Sequence, residues 1–569
     1  MNEEHPEAVT KDTDKEVVDR VLRRYERAVG ERSAWLSLWN EMSRYVRPSK
    51  DPIIRSSNVA LTPSLSGFEQ LFDSTAISAN MVLASGCMAR LTPAQSPWFK
   101  YEAPGFQVTD RVKKWFDKCT EIAHLALATS NFYTQLHELY LDRGAFGTAC
   151  FHADAGDDHP LNFHTADVGT FALMNGANGK ADTIFRERNL NAREAAQEYG
   201  EAKLPDDMRK SLEGGGDTEA DKQKFVHVVY PREDSERDHV KLDGKNMPIA
   251  SLHIHVSSRT IVRNSGYAEM CSFGSRYLRW GDSAYGFCPA WQALPDARQL
   301  NDLQRNLDTL AEVAAFPRML LPDDMEGEVD LRANGQTFFK DPQRVPREWM
   351  TQGRYDVGMD RVKFRQESIN KAFHVELFQQ WSAITKQMTA AEVNARELEK
   401  IELFSPTFTL LTTELYTPIL TRVFALLLRQ GVFPPPPPEA VYVNAQGRYA
   451  IGDPQIQYTS RLALALKSVR NYALNNAIAR AGQMSAFPSG ANVSDNLNFD
   501  RAWRDASMDD GLPVEWIPDE EDVMKTRMAR AQAQEQARQM EQAKQMADSA
   551  SKLASAGLIP QQGDLLSAP

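Results

Sequence analysis

Paired histidines and carboxylates are the residues of this chain with the clearest capacity for chemistry. His253 and His255 stand two apart in SLHIHVSS, interleaved with Leu252, Ile254 and Val256. That alternation marks a half-buried strand with both imidazoles on its open face. Two imidazoles at i, i+2 can share a metal ion, but a structural site wants four ligands and no third is evident. The segment HADAGDDH, residues 152 to 159, sits between two strand patterns and reads as a solvated hairpin turn ahead of an ion site. Asp157-Asp158, Asp323-Asp324 and Asp509-Asp510 lie in turn-like sequence, where solvation is the ordinary state. GANGKA, residues 176 to 181, lacks the spacing and the hydroxyl of a phosphate-binding loop. Neither G-x-S-x-G nor H-E-x-x-H occurs. The expectation is no catalytic residue, no metal and no cofactor.

Composition narrows the class further. The chain has 569 residues, 42% of them hydrophobic and 25% charged, with a net charge of −12. That is enough for several domains with large cores. An acidic chain does not grip a polyanion by counterion release, so tight DNA binding is not its main activity. Five widely spaced cysteines without a C-x-x-C pair fit free thiols in a reducing cytoplasm. The acidic, polar start MNEEHPEAVTKDTDKE does not read as a secretory signal. The longest apolar run, Phe404 to Leu428, contains Glu414, Pro418 and Arg422 and reads as a buried core helix, not a membrane span.

The elements follow from periodicity. Residues 14 to 46, 67 to 91 and 110 to 142 read as helices, the last broken near Ser130-Asn131. GTACFHA, LNFHT, TIFRERN, FVHVVYP and SLHIHVSS read as strands. A long helix then runs from a cap at Asp296 to Pro317. Leu300, Leu303, Leu307 and Leu310 form one narrow seam on it, suited to lie along a neighbouring helix of this chain or of another copy. Residues 318 to 365 read as irregular, with strand-like QTFFK and RVKF, and helix returns over 366 to 381. In QMTAAEVNARELEK, Thr389 and Glu392 form a capping box, so a helix starts there firmly. Helix resumes from about 407 to 430. Five consecutive prolines, Pro434 to Pro438, favour a polyproline rod about 15 Å long, a stiff connector or a recognition motif. Residues 456 to 484 read as helix, and 520 to 556 as an Ala/Gln/Met/Arg helix that gains stability from packing against partners.

Seven segments in one order carry a resemblance: RAVGERSAWLSLWNEMSRYVRPS, LFDSTAISANMVLASGCMARLTPAQSPWF, FYTQLHELYLDRGAFGTACFHAD, VVYPRED, PAWQALPDARQLNDLQRNLDTLAEVAAFPRML, MTAAEVNAR and GLPVEWIPDEEDV. Together they resemble the portal, or head-to-tail connector, proteins of short-tailed bacteriophages. One departure is Phe287-Cys288, where the family is expected to be closer to Y-G-x-G-P.

The resemblance implies an α+β, mainly α, portal fold assembled as a dodecameric ring with wing, stem, clip, crown and C-terminal helical barrel. Mapped here, it makes residues 1 to 295 the wing, 296 to 317 the first stem helix and 318 to 365 the clip. The second stem helix is then 366 to 381 and the tunnel loop 382 to 388. Residues 389 to 455 become wing helices and the proline connector, 456 to 519 the crown, and 520 to 569 the barrel helix and tail. Implied partners are eleven further copies, the major capsid and scaffolding proteins, the terminase large subunit, tail adaptor and tail proteins, and double-stranded DNA passing without sequence specificity, with no membrane. The implied setting is a capsid vertex of the virion, reached from the host cytoplasm during assembly. Lys371, Gln379, Gln380, Lys386 and Gln387 are candidates for brief DNA contact, or are ordinary solvated side chains. Competing readings are a DNA-processing enzyme of the packaging machinery and a monomeric tail or adaptor component.

Overall fold

A computed structural model describes residues 14–50, 53, 70–104, 109–156, 158–214, 222–238, 241, 243–315, 318–320, 343, 347–349, 355–378, 405–443, 449–459, 476–480, 498–509, 516, 518 and 520–555. The chain forms two compact units, residues 1–466 and 467–569.

In the first unit, α1 (Asp14–Val46) leads to α2 (Thr75–Leu91), β1 (Phe99–Glu102), α3 (Asp110–Thr129) and α4 (Phe132–Phe146). A run of short strands follows: β2 (Thr148–Asp154), β3 (Asn162–Ala166), β4 (Phe171–Asn175) and β5 (Ala181–Leu190). Then come α5 (Ala192–Tyr199), α6 (Asp206–Glu213), β6 (Gln223–Pro231), β7 (Ile249–His255), β8 (Thr260–Tyr267), β9 (Ser272–Arg276), β10 (Leu278–Arg279) and β11 (Gly286–Phe287). The long α7 (Pro289–Ala315), β12 (Arg318–Leu320), β13 (Arg347–Trp349), α8 (Tyr355–Ala372) and α9 (Val375–Phe378) come next. The unit continues with α10 (Ser405–Arg429), β14 (Val441–Val443), β15 (Tyr449–Ile451) and β16 (Gln455–Tyr458). The second unit holds α11 (Phe499–Asp509) and α12 (Glu520–Ser555).

The apolar stripe of α1 has two destinations. Val18, Val21, Leu22, Tyr25 and Ala28 cover one face of the five-stranded antiparallel sheet β4-β5-β6-β7-β8. Trp39, Met42 and Val46 enter the main core, which α2, α3, α4 and α10 share. Asp142 on α4 is fully buried and takes ion pairs from Arg47 and Lys50, locking the exit of α1 onto α4. Burial pushes the Asp142 carboxyl up, and the two cations pull it back.

The helix α10 is long and apolar enough to cross a bilayer, yet it is mostly buried in the core. Its interrupting charges have partners. A π turn spans Thr412–Tyr416, and Glu414 within it accepts from Arg276 Nε at 3.0 Å and from the Arg276 amide at 2.9 Å. Both side chains are nearly inaccessible, at 1% and 6% exposure. Arg422 pairs with Glu269 at 2.8 Å.

Four expectations change. The imidazoles of His253 and His255 are buried rather than open, because β2, β9 and α5 cover the second face of their sheet. Residues 456 to 458 belong to β16, which pairs antiparallel with β1 (Phe99↔Tyr458), since Ile456 and Tyr458 pack on the core in strand alternation. The helix expected from Asp296 begins at Pro289 and holds Pro295 inside. Burial of Ala290, Ala293 and Leu294 in that first turn offsets the one lost hydrogen bond. The helix expected from 366 begins at Tyr355 and ends at Ala372. RVKF lies within it, its alternation being a fragment of the Val362…Ile369 two-turn spacing. The hairpin read in HADAGDDH is present as the β2–β3 turn, and the proline run packs on the body, where Trp115 Nε1 donates to the Pro434 carbonyl at 3.0 Å.

Two predictions follow from these burials. Glu414→Ala strands the Arg276 charge and lowers unfolding free energy by about 3–5 kcal/mol, measured by denaturant unfolding; a loss under about 1 kcal/mol contradicts the pairing. Burial depresses His253 to about 3 and also lowers His124, His152, His164 and His227. The unfolded chain titrates near 6.5 and takes up protons that the folded chain refuses. The thermal midpoint is therefore flat above about pH 7 and falls as the pH drops through about 6.5. A midpoint unchanged down to pH 5 contradicts this.

Candidate functional site: a two-helix stem

The leucine seam has found its neighbour within the chain. The helices α7 and α8 pack side by side, with Leu300 fully buried, Leu307 at 7% exposure, and Leu303 and Leu310 half-buried. From α8, Val362 and Ile369 face them. Gly358 makes close approach possible, since a Cβ there would lie 2.6 Å from Leu307 Cδ2.

Polar anchors fix the root of this pair. Asp296 takes the Arg365 guanidinium through Oδ1 and Ser368 Oγ through Oδ2 at 2.6 Å. What reads in the sequence as a helix cap is thus a strut between the two helices. Asn301 interrupts the seam for a reason: its Oδ1 accepts from the Phe72 amide at 2.7 Å and its Nδ2 donates to the Gln70 carbonyl at 3.0 Å. Arg298 pairs with Glu41 of α1, and Gln366 Nε2 donates to Asp73 Oδ2 at 3.3 Å. Of these residues the sequence singles out Asp296 alone, as a cap; Asn301, Arg298, Arg365, Gln366 and Ser368 are not legible in it as anchors. A buried-type spacing that places Asn301 beside Leu300 was the available signal.

At the start of α7, Phe287 lies between Trp280 and Trp291, with ring centroids at 6.0 and 4.0 Å. The Cys288 thiol donates to the Ala145 carbonyl at 3.5 Å. The Phe287-Cys288 departure is thus taken up by an aromatic cluster and a buried thiol.

At the far end of α8 the chain turns sharply. His374 has φ +55°, a left-handed conformation that stops the helix. Burial lowers its imidazole pKa. After the turn, Phe378 packs on Gly86, whose missing Cβ would come 2.2 Å from the Phe378 ring. Among the contact candidates, Lys371 is exposed on the last turn of α8. Gln379, Gln380, Lys386, Gln387, Thr389 and Glu392 lie outside the described residues. Taken together the two helices are nearly charge-balanced: α7 carries four carboxylates and two guanidinium groups, and α8 three carboxylates and four cations. Such a surface neither captures nor strongly repels a polyanion.

No group of three or more His, Cys, Asp or Glu among the described residues could hold a metal ion. The long paired helices are the feature to compare with known proteins. The family described as "Bacteriophage head to tail connecting protein" matches residues 18–517. A "Probable portal protein" of Bordetella phage BPP-1 is 27% identical over 551 residues, 94% of this chain and 95% of that protein. A "Portal protein" of Salmonella phage epsilon15 is 26% identical over 552 residues, with the same coverages. Among solved structures, a chain from "Virion of native gene transfer agent (GTA) particle" aligns at TM-score 0.35 and 11% identity, covering 73% of this chain and 90% of its own. With a match that spans most of its length, this chain belongs to the family of bacteriophage head-to-tail connecting proteins.

Proposed function

We propose that the chain is the structural portal subunit of a bacteriophage. Twelve copies close a ring at one capsid vertex, and double-stranded DNA enters and leaves through its centre. The α7–α8 pair is the stem, now bounded as Pro289–Ala315 and Tyr355–Ala372. The clip then shortens to the segment between them, from about 318 to 354. The wing is the body before α7, joined by residues 389 to 458; the tunnel loop is 382 to 388, the crown 459 to 519, and α12 the barrel helix. The clip side receives the terminase large subunit during packaging and the tail adaptor afterwards. The outer body meets the major capsid and scaffolding proteins, with assembly in the host cytoplasm.

The observation that carries this reading is family membership over residues 18–517 together with a stem already paired and anchored within one subunit. A rigid, charge-balanced helix pair is suited to line a conduit through which a polyanion slides. The subunit is a conduit and not a catalyst.

Purified protein under assembly conditions should give rings with a central hole in negative-stain images. Uniform particles of 64.0 kDa contradict the assignment and favour a monomeric adaptor. Shortening residues 380 to 387 should leave rings intact while reducing the DNA packaged per particle. Loss of rings in that variant contradicts the tunnel-loop placement.

A further inference from the structure

Two apolar surfaces of the first unit are left open by the fold, and their chemistries match. The first is the proline run. Pro437 has φ −64° and ψ 148°, the polyproline II conformation. That conformation has three residues per turn, so Pro434 and Pro437 share one face and Pro435 and Pro438 another. Pro437 is buried against the body and Pro434 half-buried, whereas Pro435 and Pro438 are exposed. Val432 before the run is exposed too, as is Tyr442 after it, at 52%. The rod is therefore held ready-formed by one face and presented along the other.

The second surface is the β10–β11 hairpin that leads into α7. Trp280 is 51% exposed, Leu278 is exposed, and Phe287 and Trp291 are half-buried beside them. The Trp280 ring stacks on Phe287 and stands edge-on to Trp291 at 5.1 Å. Among the described residues, neither indole N–H has an acceptor. An open aromatic platform of this kind suits a polyproline segment, since the rings take the prolines and an indole N–H takes a carbonyl. The chain uses the same chemistry within itself, where Trp115 Nε1 donates to the Pro434 carbonyl. Charge agrees as well. Arg279, exposed before Trp280, and Glu439, exposed after Pro438, have opposite signs, and neither forms an ion pair with a described residue.

The two surfaces lie toward opposite ends of α10. Arg276 holds Glu414 and also bonds the carbonyls of Gly179 and Ser283, and Arg279 bonds the Gly179 carbonyl, so the hairpin sits by Glu414. The proline run leaves the other end of α10, past Arg429, about 22 Å further along the helix. Neither surface covers the other within one subunit. We propose that the exposed proline face of one copy docks on the Trp280 cluster of the next copy. The contact joins two different patches of the same chain, so it is head-to-tail, the kind of contact that builds rings. It rests on the ring reading given above and names one seam of that ring. Phe287, the departure from the family pattern, is part of the platform. A rod that is already formed loses little conformational freedom on docking.

Crosslinking of the assembled full chain tests this. All five native cysteines are buried, so thiols introduced on the surface react ahead of them. Rings of the Leu278→Cys, Pro435→Cys double variant, treated with a short bismaleimide and then denatured, should run as a ladder of covalent multimers, and neither single variant should. Rings that form without a ladder overturn the contact and leave the ring reading standing, with the rod then open to another protein. Wild-type preparations that hold no rings overturn the ring reading and this contact with it. Should the double variant fail to assemble, Trp280→Ala and Pro435→Asp carry the test separately. Each should raise the protein concentration needed for rings several-fold while the thermal midpoint of the subunit stays unchanged. An unchanged concentration, or one raised only alongside a lowered midpoint, overturns the contact.

Discussion

The ion pair between Arg276 and Glu414 joins the helical core to the sheets. Arg276 closes β9, and its guanidinium also donates to the carbonyls of Ser283 at 3.1 Å and Gly179 at 2.9 Å. Arg143 of α4 donates to the Arg276 carbonyl at 3.0 Å and to that of Thr407 on α10 at 3.2 Å. One buried salt bridge thus fixes α10, α4, β9 and the turn that leads into α7. Burying two charges is not in itself stabilising, but once they are buried each requires the other. The π turn places Glu414 where Arg276 needs it, at the cost of a regular helix over five residues.

From that hub the direction of the α7–α8 pair is determined. The chain leaves β9 at Arg276 and enters α7 at Pro289, through a short β10–β11 hairpin roofed by Trp280, Phe287 and Trp291. The polar anchors Asp296, Asn301 and Arg298 then tie the root of α7 to α8, to residues 70 to 72 and to α1. Beyond the root the leucine seam packs the two helices together.

Much of this was legible in the sequence because it rests on local periodicity. The stripe of α1, the break at Ser130-Asn131, the β2–β3 hairpin and the leucine seam all follow from spacing. What was not legible depends on distant partners. Nothing local tells that Asp296 meets Arg365 sixty-nine residues away, so it reads as a cap. Pro295 reads as a helix boundary because the burial of Ala290 and Leu294, which outweighs it, is tertiary. His253 and His255 read as an open face because the covering sheet comes from elsewhere in the chain. His374 ends α8 by a left-handed turn that the apolar sequence around it conceals. The capping box of Thr389 and Glu392 lies outside the described residues and stays an expectation.

These features give a subunit in which two long helices are already paired and anchored to the body. The most direct measurement is an electron cryo-microscopy reconstruction of the assembled particle at side-chain resolution. It should show α7 and α8 of the same subunit side by side, Asp296 on Arg365, and this pair repeated around a central hole wide enough for duplex DNA. A hole lined instead by the sheets, or an α7 paired with α8 of another subunit, would contradict the assignment of the stem.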